Sequence, residues 1–131
     1  MRGMLFVLFA LPLLLGACNK EPGEGGRAEI RGVVFERRYN DATNLPIGQA
    51  YPLADARVSI IYGDGHYADD DTRTGPKGEF RFPWLRKGDY RIYVISECNT
   101  YTNCTEGIYV DVEISGRKDV VNTDTLLVRN Y

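Results

Sequence analysis

Between Thr74 and Val94 the chain twice alternates at the period of a β-strand, and this restricts the possible folds more than any other stretch. Phe80 and Phe82 alternate with Glu79 and Arg81; Tyr90, Ile92 and Val94 alternate with Asp89 and Arg91. A period of two sends successive side chains to opposite faces, so each run has one apolar face that needs cover. Pro83 ends the first ladder, Gly88 permits a tight turn, and Pro76-Lys77-Gly78 turns the chain ahead of both. Two strands with aromatic side chains on one face call for a second sheet as the covering layer. By the same parity Trp84 follows Phe80 and Phe82 and is expected to cap the core.

The flanking segments fit that expectation. Ala28 to Arg37 reads as a first strand with Ile30, Gly32 and Val34 on one side, and Ala56 to Tyr62 as a second with Val58, Ile60 and Tyr62 on one side. Between them Arg38 to Pro52 has no period and reads as a long surface loop, a candidate contact surface. Gly63 to Asp71 is a polar loop, followed by a short strand at Thr72 to Thr74. Tyr90 to Glu97, Ile108 to Ile114 and Val120 to Val128 supply the later strands. About seven strands at roughly 8–12-residue spacing predict an all-β sandwich. Hydrophobic residues make up 44% of the chain, enough for one core in 131 residues.

Thr74, Gly78, Phe80, Phe82, Leu85, Gly88 and Tyr90 resemble the signature of the carboxypeptidase regulatory-like domains, also called prealbumin-like or CnaB-like sandwiches. Upstream, Gly32-Val33-Val34, Pro52-Leu53 and Ala56-x-Val58 match a further piece of that family. The resemblance covers roughly Ala28 to Val128. It implies a seven-stranded Greek-key sandwich over residues 28–131, and little about activity, because such a domain is a scaffold for many purposes. The CnaB-like relatives carry a lysine in the first strand for an isopeptide bond. Here that strand offers Arg31 and Arg37, so no such bond is expected.

The amino terminus reads as an export signal. Arg2 precedes the apolar run Met4 to Leu15, which is too short to span a membrane and right for a signal h-region. It ends in Leu15-Gly16-Ala17-Cys18, which resembles the bacterial lipobox, where cleavage precedes the cysteine and its thiol carries diacylglycerol. Residues 1–17 are therefore expected to be a lipoprotein signal peptide, and residues 18–27, polar and glycine-rich, a flexible tether. Asn19 is not the aspartate that retains some lipoproteins in the inner membrane, which points to the outer membrane. Lys20, Glu21 and Glu24 loosely match a surface-export tract, which favours the cell-surface side over the periplasmic side. Cys18 being used for lipid leaves Cys98 and Cys104 as a candidate disulfide in an oxidising compartment, two unbridged thiols being the alternative.

Several chemistries lack their residues. A net charge of −2 disfavours nucleic-acid binding. His66 is the sole histidine, so the several histidines that transthyretin-like hydrolases and intradiol dioxygenases need cannot be assembled; it reads as an exposed loop residue. No nucleophile elbow or phosphate loop is present. Asp64, Asp69, Asp70 and Asp71 share one loop and are weak calcium candidates without the EF-hand spacing. Neither enzymatic activity nor a cofactor is expected. Tyr39, Tyr51, Tyr67 and Tyr101, with Tyr109, are the candidate surface aromatics for a binding loop. The expected role is a non-catalytic outer-membrane lipoprotein that binds or scaffolds protein, as an accessory to an outer-membrane assembly; the alternative is a carbohydrate-binding surface lipoprotein.

Overall fold

One long strand, β1 (Glu24–Tyr39), holds one layer of the molecule together. The computed structural model describes residues 21–98 and 103–131. The expected signal peptide over 1–17, the lipidation site Cys18 and the candidate Tyr101 lie outside them. Among the described residues there are nine strands rather than seven: β2 (Pro46–Pro52), β3 (Arg57–Tyr62), β4 (Asp70–Arg73), β5 (Glu79–Leu85), β6 (Gly88–Glu97), β7 (Thr105–Ile114), β8 (Val120–Asn122) and β9 (Leu126–Asn130) follow β1. The first half of β1 pairs antiparallel with β5 and parallel with β8; its second half pairs antiparallel with β2 and parallel with β9. The other layer runs β4-β3-β6-β7, all antiparallel. The result is an all-β sandwich.

The core lies between the layers and follows strand parity. Ile30 and Val34 from β1, Phe80 and Phe82 from β5, and Leu126 and Val128 from β9 face Val58, Ile60, Tyr90, Ile92, Val94, Val112 and Ile114. Thr74 is buried because its hydroxyl donates to the Leu53 carbonyl at 2.6 Å and accepts the Ala56 N–H at 2.8 Å, tying the turn before β5 to the entry of β3. Ser96 is buried likewise: its oxygen accepts the Arg129 N–H at 2.8 Å, joining β6 to β9 across the layers.

Four expectations change. Arg38 to Pro52 is not wholly a loop, since β2 forms on the second half of β1 even though every residue of it is exposed. Backbone pairing at an edge needs no apolar period, so the sequence pattern is silent there. Val120 to Val128 is two strands, because the chain shifts along β1 at Thr123, whose N–H bonds the Arg31 carbonyl at 2.8 Å. The described part of the expected tether, residues 21–27, is tied to the sandwich: β1 already begins at Glu24, although Glu21, Glu24, Gly25 and Arg27 are exposed. Gly23 is buried, its N–H donating to the Tyr90 hydroxyl at 2.8 Å while its carbonyl accepts the Arg86 N–H at 2.8 Å. A side chain at Gly26 would collide with the Leu85 carbonyl. Trp84, finally, does not cap the core: it is 65% exposed. Ile30 pairs with Phe82 and Ala28 with Leu85, so β5 carries one extra residue, and Leu85 takes the inward position that parity assigned to Trp84.

Candidate functional site

The strongest candidate site is the outer face of the β6–β7 hairpin. Ten successive pairs from Gly88↔Ile114 to Glu97↔Thr105 keep one register, so outward side chains form rows across the two strands. In order they are Asp89 opposite Glu113, Arg91 opposite Asp111, Tyr93 opposite Tyr109, and Ile95 opposite Gly107. The Tyr93 and Tyr109 rings lie 5.2 Å apart at 34°, and Tyr109 and Ile95 are 56% and 57% exposed. Gly107 has a reason to be glycine, because the Tyr109 ring lies over it and a β-carbon would strike that ring. The ring is thereby laid along the sheet instead of standing off it.

Beside the rings, the Arg91 guanidinium donates to Asp111 at 2.7 Å and sits 5.8 Å from the Tyr109 centroid. The hydrogen bond and charge of Arg91 hold the Asp111 carboxyl below its ordinary value, and Asp111 in turn raises Arg91. The pair therefore stays ionised across neutral pH. It opens into a groove of about 560 Å³ between the hairpin and the loop after β3, lined by Ile61, His66, Asp89, Arg91, Asp111 and Glu113. That loop folds back because Gly63 N–H bonds the Asp89 carbonyl at 2.8 Å and Asp69 N–H bonds the Ile60 carbonyl at 2.9 Å. Flat aromatic faces next to ionised hydrogen-bonding groups suit a ligand with alternating apolar and hydroxylated surface.

Of the described residues singled out from sequence, Tyr109 lies in this site and Asp64 and His66 line its groove, whereas Tyr39, Tyr51 and Tyr67 are placed elsewhere. Tyr39 stacks on Tyr131 at 5.5 Å with Arg129 over its ring at 5.4 Å, at the end of the sandwich where β1 finishes. Tyr51 lies near that end, its hydroxyl donating to Glu36, which also accepts from Asn130 at 3.1 Å. That bond raises the Tyr51 pKa. Tyr67 is 86% exposed on the loop after β3, at the opposite end. Nor do the four aspartates converge. Asp69 accepts the Tyr62 N–H at 2.7 Å and Asp70 accepts the Asp71 N–H at 2.8 Å, so both serve their own loop. Among the described residues no three His, Cys, Asp or Glu side chains are placed to hold a metal ion. Cys98 and Cys104 are joined by a disulfide, with Cα atoms 5.2 Å apart, at the loop end of the hairpin, next to the Glu97↔Thr105 pair.

Sequence reasoning missed Tyr93, Arg91 and Asp111. One signal would have found them: Tyr93 stands five residues before Cys98 and Tyr109 five after Cys104, so a bridge joining opposed positions sets those two rings opposite each other.

No protein-family model matches the sequence. No curated protein matches it either. A solved structure of a "putative carbohydrate binding protein" from Pseudomonas aeruginosa is similar at a TM-score of 0.48 and 13% identity, over 82% of this chain and 91% of that one. At that distance the likeness carries no argument about ligand.

Proposed function

We propose that this chain is a non-catalytic binding module, held at the outer membrane by lipid on Cys18, that takes carbohydrate on the outer face of the β6–β7 hairpin. The observation that supports the reading is the Tyr93–Tyr109 ring pair set in a row beside the ionised Arg91–Asp111 pair. Sugar rings present apolar C–H faces to aromatic planes and hydroxyls to carboxylate and guanidinium groups. Glycan-array binding followed by calorimetry tests it. Tyr109→Ala should weaken the best-bound glycan by roughly tenfold, the loss of about 1.4 kcal/mol, while urea unfolding moves by no more than about 1 kcal/mol. Unchanged affinity in that variant would sink the reading.

A protein partner is the second reading, favoured by one observation. β7 pairs with β6 alone, so one edge of a ten-residue strand has no strand beside it among the described residues. Such an edge can accept an added strand. An outer-membrane partner that docks there should protect the β7 amides from hydrogen exchange and be indifferent to Tyr109→Ala. The anchor has its own check: Cys18→Ser should release the folded module from the membrane fraction, and a variant that stays there after a salt wash would remove the lipid from the account.

A further inference from the structure

Trp84 is costly in two ways that the fold does not repay. It holds a left-handed backbone at φ 58°, a region that bulky side chains avoid. It also leaves a large apolar ring 65% exposed. Its place is specific. Two residues on, Arg86 N–H bonds the Gly23 carbonyl, and Pro22 packs beside Gly88 and Gly63. The described chain therefore joins the sandwich beside Trp84. Only Asn19, Lys20 and Glu21 separate Pro22 from Cys18. Even fully extended, the four steps from Cys18 to Pro22 reach roughly 14 Å.

We propose that this end of the sandwich rests on the bilayer in which Cys18 is anchored, with Trp84 seated among the lipid headgroups and Tyr67 beside it. The proposal rests on the lipid anchor of the preceding reading. A short tether leaves the domain little freedom to turn its far end downward. An indole is also suited to the boundary between water and hydrocarbon, where its ring is half buried and its N–H hydrated. Tyr67 belongs to the same end, because its loop starts at Gly63, bonded to Asp89 and close to Pro22. Charge does not drive the contact: the exposed Arg27, Lys87, Arg117 and Lys118 are outnumbered by the exposed Glu21, Glu24, Asp64, Asp89 and Glu113, so this end is not basic. Zwitterionic lipid is therefore sufficient, and salt should matter little. In this pose the Tyr93–Tyr109 face stands sideways to the membrane, the groove lies at its membrane-near edge, and the end with Tyr39 and Tyr131 points away.

Trp84 is the single tryptophan of the chain, so its own fluorescence reports the contact. The mature lipoprotein, purified from membranes, is placed in phosphatidylcholine vesicles whose acyl chains carry bromine just below the headgroup. The expected result is co-flotation, a blue-shifted emission and quenching of Trp84. A dye on Thr43→Cys, in the loop at the far end, should escape quenching. Co-flotation with Trp84 emission red and unquenched, or with the Thr43 dye quenched more than Trp84, overturns this orientation and leaves the anchor standing. A chain that carries no lipid and does not float overturns the anchor and this proposal together.

Discussion

The β6–β7 hairpin and the β1–β5 ladder solve the same packing problem differently. In the hairpin every residue has its partner for ten pairs; the inward positions Tyr90, Ile92, Val94, Val112 and Ile114 are buried, and Ile108 and Val110, nearer the loop, are partly buried. In β1–β5 the register slips twice, and Leu85 is opposite both Glu24 and Ala28. The hairpin therefore transmits parity over its whole length, and its outer face becomes ordered rows. The other ladder breaks parity at Trp84 and uses the break to receive the start of the chain. A regular ladder makes a surface; an irregular one makes a junction.

The largest test of this contrast is Ile92→Ala. Ile92 is wholly buried in the unbroken hairpin, so the cavity should lower unfolding stability by about 2–5 kcal/mol in urea. A loss under about 1 kcal/mol would mean that the hairpin core is looser than its register implies.

Next comes Glu29, on the outer face of the irregular ladder. Its carboxylate is largely buried between Arg31, at 2.6 Å, and Arg81. The hydrogen bond from Arg81, aided by Arg31, outweighs burial and lowers its pKa below 4.5. A lowered folded pKa means that the unfolded chain binds more protons, so this contribution is present above that ordinary value and is lost as pH falls through the folded one. Glu29→Gln should cost about 1–2 kcal/mol at neutral pH. It should also flatten the decline in stability below pH 4.5. Parallel acid-unfolding curves for the two proteins would show that the Arg81 bond does not hold.

The smallest effect has the opposite sign. At the bulge, Trp84→Gly relieves a left-handed backbone and should leave stability unchanged or raise it by up to about 1 kcal/mol. A clear loss by thermal melting would place the indole within the packing after all.

How much of this was legible follows from where register is continuous. Periods of two around Phe80, Ile92 and Val112 identify core faces, since a strand one of whose faces is buried has no other solution. The disulfide was legible as a pairing because only two cysteines follow the apparent lipobox. Part of the site was legible too: Tyr109 is out of phase with Ile108 and Val110, and therefore outward. Its partner was not, because which residue of β6 lies across from it is set by the closure of the hairpin, at Cys98 and Cys104. The edge strand β2 was hidden because its hydrogen bonds are made by backbone, which every sequence has.

By itself, then, the sequence determined the alternating apolar faces, and with them a two-layered β fold. Local sterics and hydrophobic burial act residue by residue, and residue order is enough to express them. Tertiary structure alone decided which strands lie beside β1, where β5 bulges, that Pro22 and Gly23 close onto Tyr90, and that Tyr93 meets Tyr109. Those are relations between segments distant along the chain. They depend on how the whole set of backbone hydrogen bonds is satisfied at once, which no local period records.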